Sequence, residues 1–200
     1  SRHRVVADIN RARQEADLVV VSVHWGQEYK SLPNGQQQGY ARMLTRAGAD
    51  IIVGHHPHVV QPLEWIRVPG RDSPTLVAYS LGNFIFDQEF SEETSESAFL
   101  SCEVGPAGVQ KAGLIPIHIR RGQARPVSSR QGEKVLSRLL PRDETFPPYK
   151  MFSAMTLPTG ERDFQTAWWV TPDDPPTVPP LTTDVDGNGQ AEALALSDHS

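Results

Sequence analysis

The sequence predicts an α/β protein with a mixed sheet, followed by a Pro-rich linker and a small all-β, propeller-blade-like segment. Three observations carry this expectation. Residues 17–23 and 50–53 are short apolar runs rich in β-branched residues, each preceded by a segment with helical spacing, which is the pattern of a parallel sheet. Residues 59–119 hold further alternating runs separated by turn residues, which is an antiparallel pattern. Nine of the seventeen prolines fall between Pro141 and Pro180, a composition shift expected of an extended linker. The expected domains are therefore residues 1–140, a linker at 141–163 and a tail at 164–200.

In the first of these, Val6 to Ala16 places Ile9, Ala12 and Ala16 at helical spacing with charged residues between them, so a surface helix feeds the first strand. After a loop from Lys30 to Gly35, Gln36 to Ala47 repeats the pattern with Tyr40, Met43, Leu44 and Ala47, and Gly48 is placed to cap it. From Val59 the rhythm changes. Val59 to Val68, a turn at Pro69-Gly70-Arg71-Asp72, and Thr75 to Ser80 read as an antiparallel hairpin that leaves the parallel half behind. Ser97 to Val104 and Gly113 to Ile119 read as two more strands, and Gly132 to Leu140 as a short helix stopped by Pro141.

Composition narrows the classes of function. A hydrophobic fraction of 38% with 22% charged residues is a soluble globular balance, and a net charge of -5 argues against a nucleic-acid partner. No run approaches the length of a membrane span. The single cysteine, Cys102, lies in an apolar stretch and reads as a buried core thiol, which rules out an intrachain disulfide framework.

Chemistry concentrates where the two apolar runs end. In Asp50-Ile51-Ile52-Val53-Gly54-His55-His56-Pro57-His58, the strand breaks at Gly54 and three imidazoles follow within four positions. If the chain stays extended, His56 and His58 face one side, because strand side chains alternate with period two. Imidazole is the commonest metal ligand, and Pro57 stiffens the backbone between the rings. Taken alone, the cluster reads sooner as surface histidines in a polar loop than as ligands. A second cluster, Asp17 to Tyr29, repeats the design with His24 at the strand end and Gly26 after it. Neighbouring parallel strands would bring His24, His56 and His58 to one rim of the sheet, where α/β folds place their sites. Glu28, on the same strand-end loop, is the candidate general acid or base; its bland alternative is a salt bridge or cap.

These strings, together with Ala47-Gly48-Ala49-Asp50 and Tyr79-Ser80-Leu81-Gly82-Asn83-Phe84-Ile85-Phe86-Asp87, resemble the CapA family of bacterial capsule and poly-γ-glutamate synthesis proteins over roughly residues 5 to 120. The family lies in the calcineurin-like metallophosphoesterase superfamily. The resemblance therefore implies the C-terminal half of an αββα sandwich with a dinuclear divalent-metal site. His24, His56 and His58 match the metal histidines of its C-terminal motifs, and the remaining ligands, in Asp-x-His, Gly-Asp and Asn-His motifs, are expected upstream of Ser1. His55 is carried as a catalytic candidate beside Glu28, without a ligand role. Asn83 and Asp87, inside the last motif, are candidate substrate contacts. The acidic run Asp87, Glu89, Glu92, Glu93 and Glu96 reads either as a polymer-facing lid or as a solvated loop.

In the tail, Thr183-Asp184-Val185-Asp186-Gly187-Asn188-Gly189-Gln190-Ala191-Glu192 offers oxygens at spacing suited to calcium, with Asp184, Asp186, Asn188 and Glu192 as candidate ligands. Ala195 stands where an EF-hand needs its bidentate Glu, and the following residues alternate as a strand, so the loop instead resembles an FG-GAP or VCBS-type repeat. Its alternative is an Asp/Gly-rich turn without an ion.

Two functions follow as expectations. The first is a metal-dependent hydrolase or transferase acting on an anionic cell-surface polymer or its precursor. The second is a non-catalytic scaffold or polymer-binding component of a membrane-bound synthesis or export complex. By resemblance either would work at the bacterial cell surface.

Overall fold

In the computed structural model the described residues are 2–127 and 129–140, with the backbone of four later strands. The first of two sheets is built from β1 (Val20–His24), β2 (Ile51–His55), β3 (Val60–Ile66) and β4 (Thr75–Leu81) in the order β1-β2-β4-β3. β1 and β4 both run parallel to β2, and β3 pairs antiparallel to β4. The mixed sheet expected from the sequence is present. One detail differs: the β3/β4 hairpin does not leave the parallel half, because β4 inserts between β2 and β3. Its residues are buried from Thr75 to Ser80, and such a continuous buried run suits a central strand better than an edge.

Helices α1 (Arg2–Glu15) and α2 (Gly35–Ala47) cover one face of this sheet. Ile9, Ala41, Leu44, Ile52, Val77 and Tyr79 form the core beneath them. α2 starts at a capping box not recognised in the sequence, in which Asn34 accepts from the backbone of Gln36 and Gln37 while the Gln37 side chain accepts from Asn34 N–H. It ends where expected, at Gly48, whose φ of 114° is left-handed.

The opposite face meets a second, antiparallel sheet of β5 (Glu96–Gly105), β6 (Gly108–Arg120), β7 (Gln123–Pro126), β8 (Lys150–Pro158) and β9 (Phe164–Thr171). Ile51, Leu76 and Ala78 from the first sheet pack with Ala98, Ala112 and Leu114 from the second, and Val135, Leu136 and Leu139 of helix α3 (Ser129–Leu139) complete that core. The acidic run is tied down at several points. Glu89 accepts from Gly122 N–H at 2.8 Å, Glu92 pairs with Lys134, and Glu93 and Glu96 pair with Arg138. Those contacts brace the loop against the turn between β6 and β7 and against α3, which is a structural use of the acids.

β8 falls within the segment expected to be linker, and β9 within the tail; Ala112 of β6 pairs with Val170 of β9, so the second sheet extends across that boundary. Two short strands, β10 (Thr182–Thr183) and β11 (Glu192–Ala193), pair antiparallel. Asp184, Asp186 and Asn188 lie outside the described residues; of the four candidate calcium ligands, only the backbone of Glu192, at the start of β11, is described. Among the described residues no helix is long and apolar enough to cross a membrane.

A candidate metal centre at the strand ends

β1 and β2 end side by side, with His24 in register with His55. Just past them the backbone changes. β2 stops at His55, and His56 and His58 take positive φ values of 101° and 61°. The histidines converge through a left-handed turn around Pro57, not through the extended alternation expected from the sequence. Non-glycine residues with positive φ cost about 1–3 kcal/mol each, so the surrounding structure must hold them.

Gly54 is one reason the turn can sit there. A Cβ at this position would lie 2.1 Å from the Tyr79 carbonyl oxygen and 2.3 Å from Trp25 Nε1. With no side chain in the way, the Trp25 indole donates to Tyr79 O at 2.9 Å and stacks on the Tyr79 ring. That phenol donates to Glu64 at 2.6 Å, and burial together with the carboxylate acceptor pushes its pKa far up. Strand end, indole and ring thus lock together beneath the site.

The loop carrying Glu28 is held from both sides. Tyr29 N–H donates to Pro57 O at 2.8 Å, linking the loop to the histidine turn. Beneath it runs a buried amide chain: Gln37 Nε2 donates to Gln61 Oε1 at 2.9 Å, and Gln61 Nε2 donates to Lys30 O at 2.8 Å. Gly26, with φ 90°, makes the close approach possible, since a Cβ there would lie 2.8 Å from the Gln37 side chain.

The result is a compact donor set. Ligand atoms of Glu28, His56 and His58 all lie within 4.8 Å of one another. Donors to a single ion sit at about 2.0–2.2 Å from it, hence within roughly 4.4 Å of each other, so small side-chain turns would close this set on one divalent ion. Two imidazoles and a carboxylate also match the donor chemistry of such ions. His24 flanks the group, its ring centroid 4.6 Å from that of His56. Glu28, expected as a proton shuttle, is thus placed as a possible ligand, and it enters none of the ion pairs among the described residues.

The remaining candidates are not members of this donor set. His55 is exposed and lines a separate apolar cleft of about 540 Å³ with Val53, Phe99 and Cys102. Asp87 is exposed on the loop after β4. Asn83 is buried and hydrogen-bonded at both ends of its amide, to His58 at 2.8 Å and to Thr94 O at 3.0 Å. Each end of the amide thus meets a partner inside the protein. Sequence reasoning passed over the aromatic wall: Tyr29 stacks on His58, Phe86 lies against the same ring, and Phe90 meets Tyr29 edge-on. The signal was available in Phe84-Ile85-Phe86 and Phe90, an unusually apolar stretch for a loop.

Comparison with known proteins agrees with the family read from the motifs. Residues 1–88 match the family described as "Bacterial capsule synthesis protein PGA_cap". The PGA biosynthesis protein CapA of Bacillus subtilis (strain 168) is 41% identical over 139 residues, which is 69% of this chain and 35% of that protein. The capsule biosynthesis protein CapA of Bacillus anthracis is 39% identical over 128 residues, 64% of this chain and 29% of that protein. The matched region spans about a third of the length of these relatives.

Proposed function

With residues 1–88 belonging to the bacterial capsule synthesis family PGA_cap, we propose that this chain contributes a divalent-metal site to a hydrolase or transferase acting on an anionic cell-surface polymer or its precursor. The observation that carries the reading is the convergence of Glu28, His56 and His58, with His24 alongside, at the C-terminal rim of a sheet. Metal dependence and the reaction are inferred from that donor set, and the substrate class and surface location from the kind of protein the relatives are.

In this reading His56 and His58 each present a ring nitrogen and Glu28 a carboxylate oxygen. The ion they hold would supply positive charge that polarises a substrate oxygen and makes hydroxide available near neutral pH. Tyr29 and Phe86 neighbour the His58 ring, and Glu28 is exposed, on the side from which substrate would arrive. The calcium expected in the tail loop, through Asp184, Asp186, Asn188 and Glu192, remains a separate proposal for a structural ion between strands.

The test is polymer production in cells whose own copy is replaced by His56→Ala, at matched protein level. Loss of polymer or of its processing, with the variant folded and present, is the expected result. Normal polymer with the variant, but none when the whole protein is deleted, would overturn the catalytic reading in favour of a scaffold.

A further inference from the structure

We infer that Asn83 is a positioning residue that fixes His58 as its Nδ1–H tautomer, so that Nε2 is the nitrogen offered to the metal. The consequence for metal binding rests on the reading above; the tautomer assignment does not. It begins at Thr94, whose backbone carbonyl can only accept a hydrogen bond. The Asn83 side chain meets that carbonyl at 3.0 Å, so the atom facing it must be the amide nitrogen. Nitrogen and oxygen of an amide are easily exchanged in assignment, but here the opposite orientation would set two acceptors against each other. The amide oxygen is therefore the end that faces His58 Nδ1 at 2.8 Å. Because that oxygen can only accept, Nδ1 must carry the proton, and a neutral imidazole with Nδ1–H has its lone pair on Nε2.

Burial makes this a constraint and not merely a preference. Asn83 is 7% exposed and Thr94 1%, so water cannot readily replace either partner. The Thr94 carbonyl belongs to a turn that holds its own shape: Thr94 Oγ1 donates to Ser91 O, Thr94 N–H donates to the Ser91 hydroxyl, and Ser95 Oγ donates to Ser91 O. Two aromatic rings also neighbour the imidazole. Tyr29 stacks at 6.0 Å between centroids and Phe86 lies at 5.5 Å, while the backbone at His58 is left-handed. Position, rotation and tautomer of His58 are thus each set by a different neighbour. A histidine ligand whose other nitrogen is hydrogen-bonded in this way is pre-organised, and loss of such a partner costs about 10–100-fold in metal affinity.

A purely structural Asn83 and a positioning Asn83 make different predictions for two variants. Asn83→Leu removes both hydrogen bonds. Asn83→Asp removes the bond to Thr94 O but keeps an oxygen for His58 Nδ1–H. The experiment records ring-nitrogen chemical shifts of His58 by NMR in the metal-free chain, at a pH where the imidazole is neutral, and then zinc affinity. The unaltered chain should show a protonated Nδ1 and a bare Nε2. Asn83→Leu should lose that pattern and bind zinc about 10–100-fold more weakly, whereas Asn83→Asp should retain the pattern and most of the affinity. An Nε2–H tautomer in the unaltered chain overturns the inference without recourse to any variant. Equal loss of the tautomer pattern in both folded variants overturns it too, because only the Thr94 bond is common to their losses. If no form of the chain binds zinc, the metal reading fails while the NMR pattern still decides the role of Asn83.

Discussion

Individual residues here take their roles from neighbours far away in sequence. His58 and Asn83 are 25 positions apart, and their hydrogen bond gives Asn83 a task that its motif alone did not reveal. A sequence pattern carries no information about which end of an amide meets a partner inside the protein. Cys102 shows the opposite case. An apolar stretch is enough to place a thiol against a core, and Cys102 does pack there, half-buried. Burial pushes its pKa up to about 11, because the thiolate would lose its hydration. The sign follows directly: the folded chain holds the proton more tightly than the unfolded chain, so this group leaves stability unchanged below about pH 9 and erodes it as pH rises towards 11. Alkylation by iodoacetamide should accordingly be slow at neutral pH and rise only at strongly alkaline pH. A fast reaction near pH 7 in the folded chain would mean the thiol is ionised more readily than its surroundings allow.

At the scale of elements, the strands and helices were largely legible and the turn that matters was not. Apolar periodicity placed α1, α2 and β1, because each buries one face and shows the other to water, and a continuous apolar run placed β2, which is buried on both faces. Positive φ at His56 and His58 has no such signature. Nothing in the residue types demands it, and it is imposed by Pro57, by the Tyr29 hydrogen bond and by packing beneath Gly54. The central position of β4 was missed for a related reason, since a hairpin pattern fixes β3 against β4 but does not say what lies on the far side of β4. The loop with Glu28 depends on the buried amide chain through Gln37 and Gln61. Gln61→Ala would leave the Lys30 carbonyl and the Gln37 amide without partners inside the protein. The Gln37 amide is the buried one of the two, and leaving it unpaired costs about 1–3 kcal/mol, so the melting temperature should fall by several degrees, and zinc affinity should fall with it as Glu28 loses its fixed place. A thermal melt and a zinc titration on one sample check both, and an unchanged melting temperature would show that the chain is not holding the loop.

The whole molecule couples a helical layer, a mixed sheet and an antiparallel sheet, and one buried charge sits where several elements begin. Asp50, just before β2, accepts from Arg71 at 2.6 Å, from Arg13 of α1 at 2.7 Å and from Val19 N–H at 2.8 Å. Arg71 also donates to the carbonyls of Thr45 and Ala49, so one guanidinium ties the end of α2 to the entries of β2 and β4. Removing the carboxylate strands a mostly buried arginine, and Asp50→Ala should destabilise the fold by about 3–5 kcal/mol. Denaturant unfolding measures this directly, and a loss below about 1 kcal/mol would place Asp50 among ordinary surface pairs. The α/β class and the mixed sheet could be read from the chain because they follow from local periodicity. The assembly of the donor set could not be read in full, because Glu28 joins His56 and His58 through loop geometry that no spacing rule predicts.

Metal titration into the full chain tests the donor set of Glu28, His56 and His58. Calorimetry with zinc should give saturable binding in the unaltered protein. His56→Ala should abolish it, and Glu28→Gln should weaken it by at least the roughly tenfold that loss of even an indirect partner costs. An isotherm for Glu28→Gln and His56→Ala indistinguishable from that of the unaltered chain, with both variants folded, would show that these residues do not hold the ion.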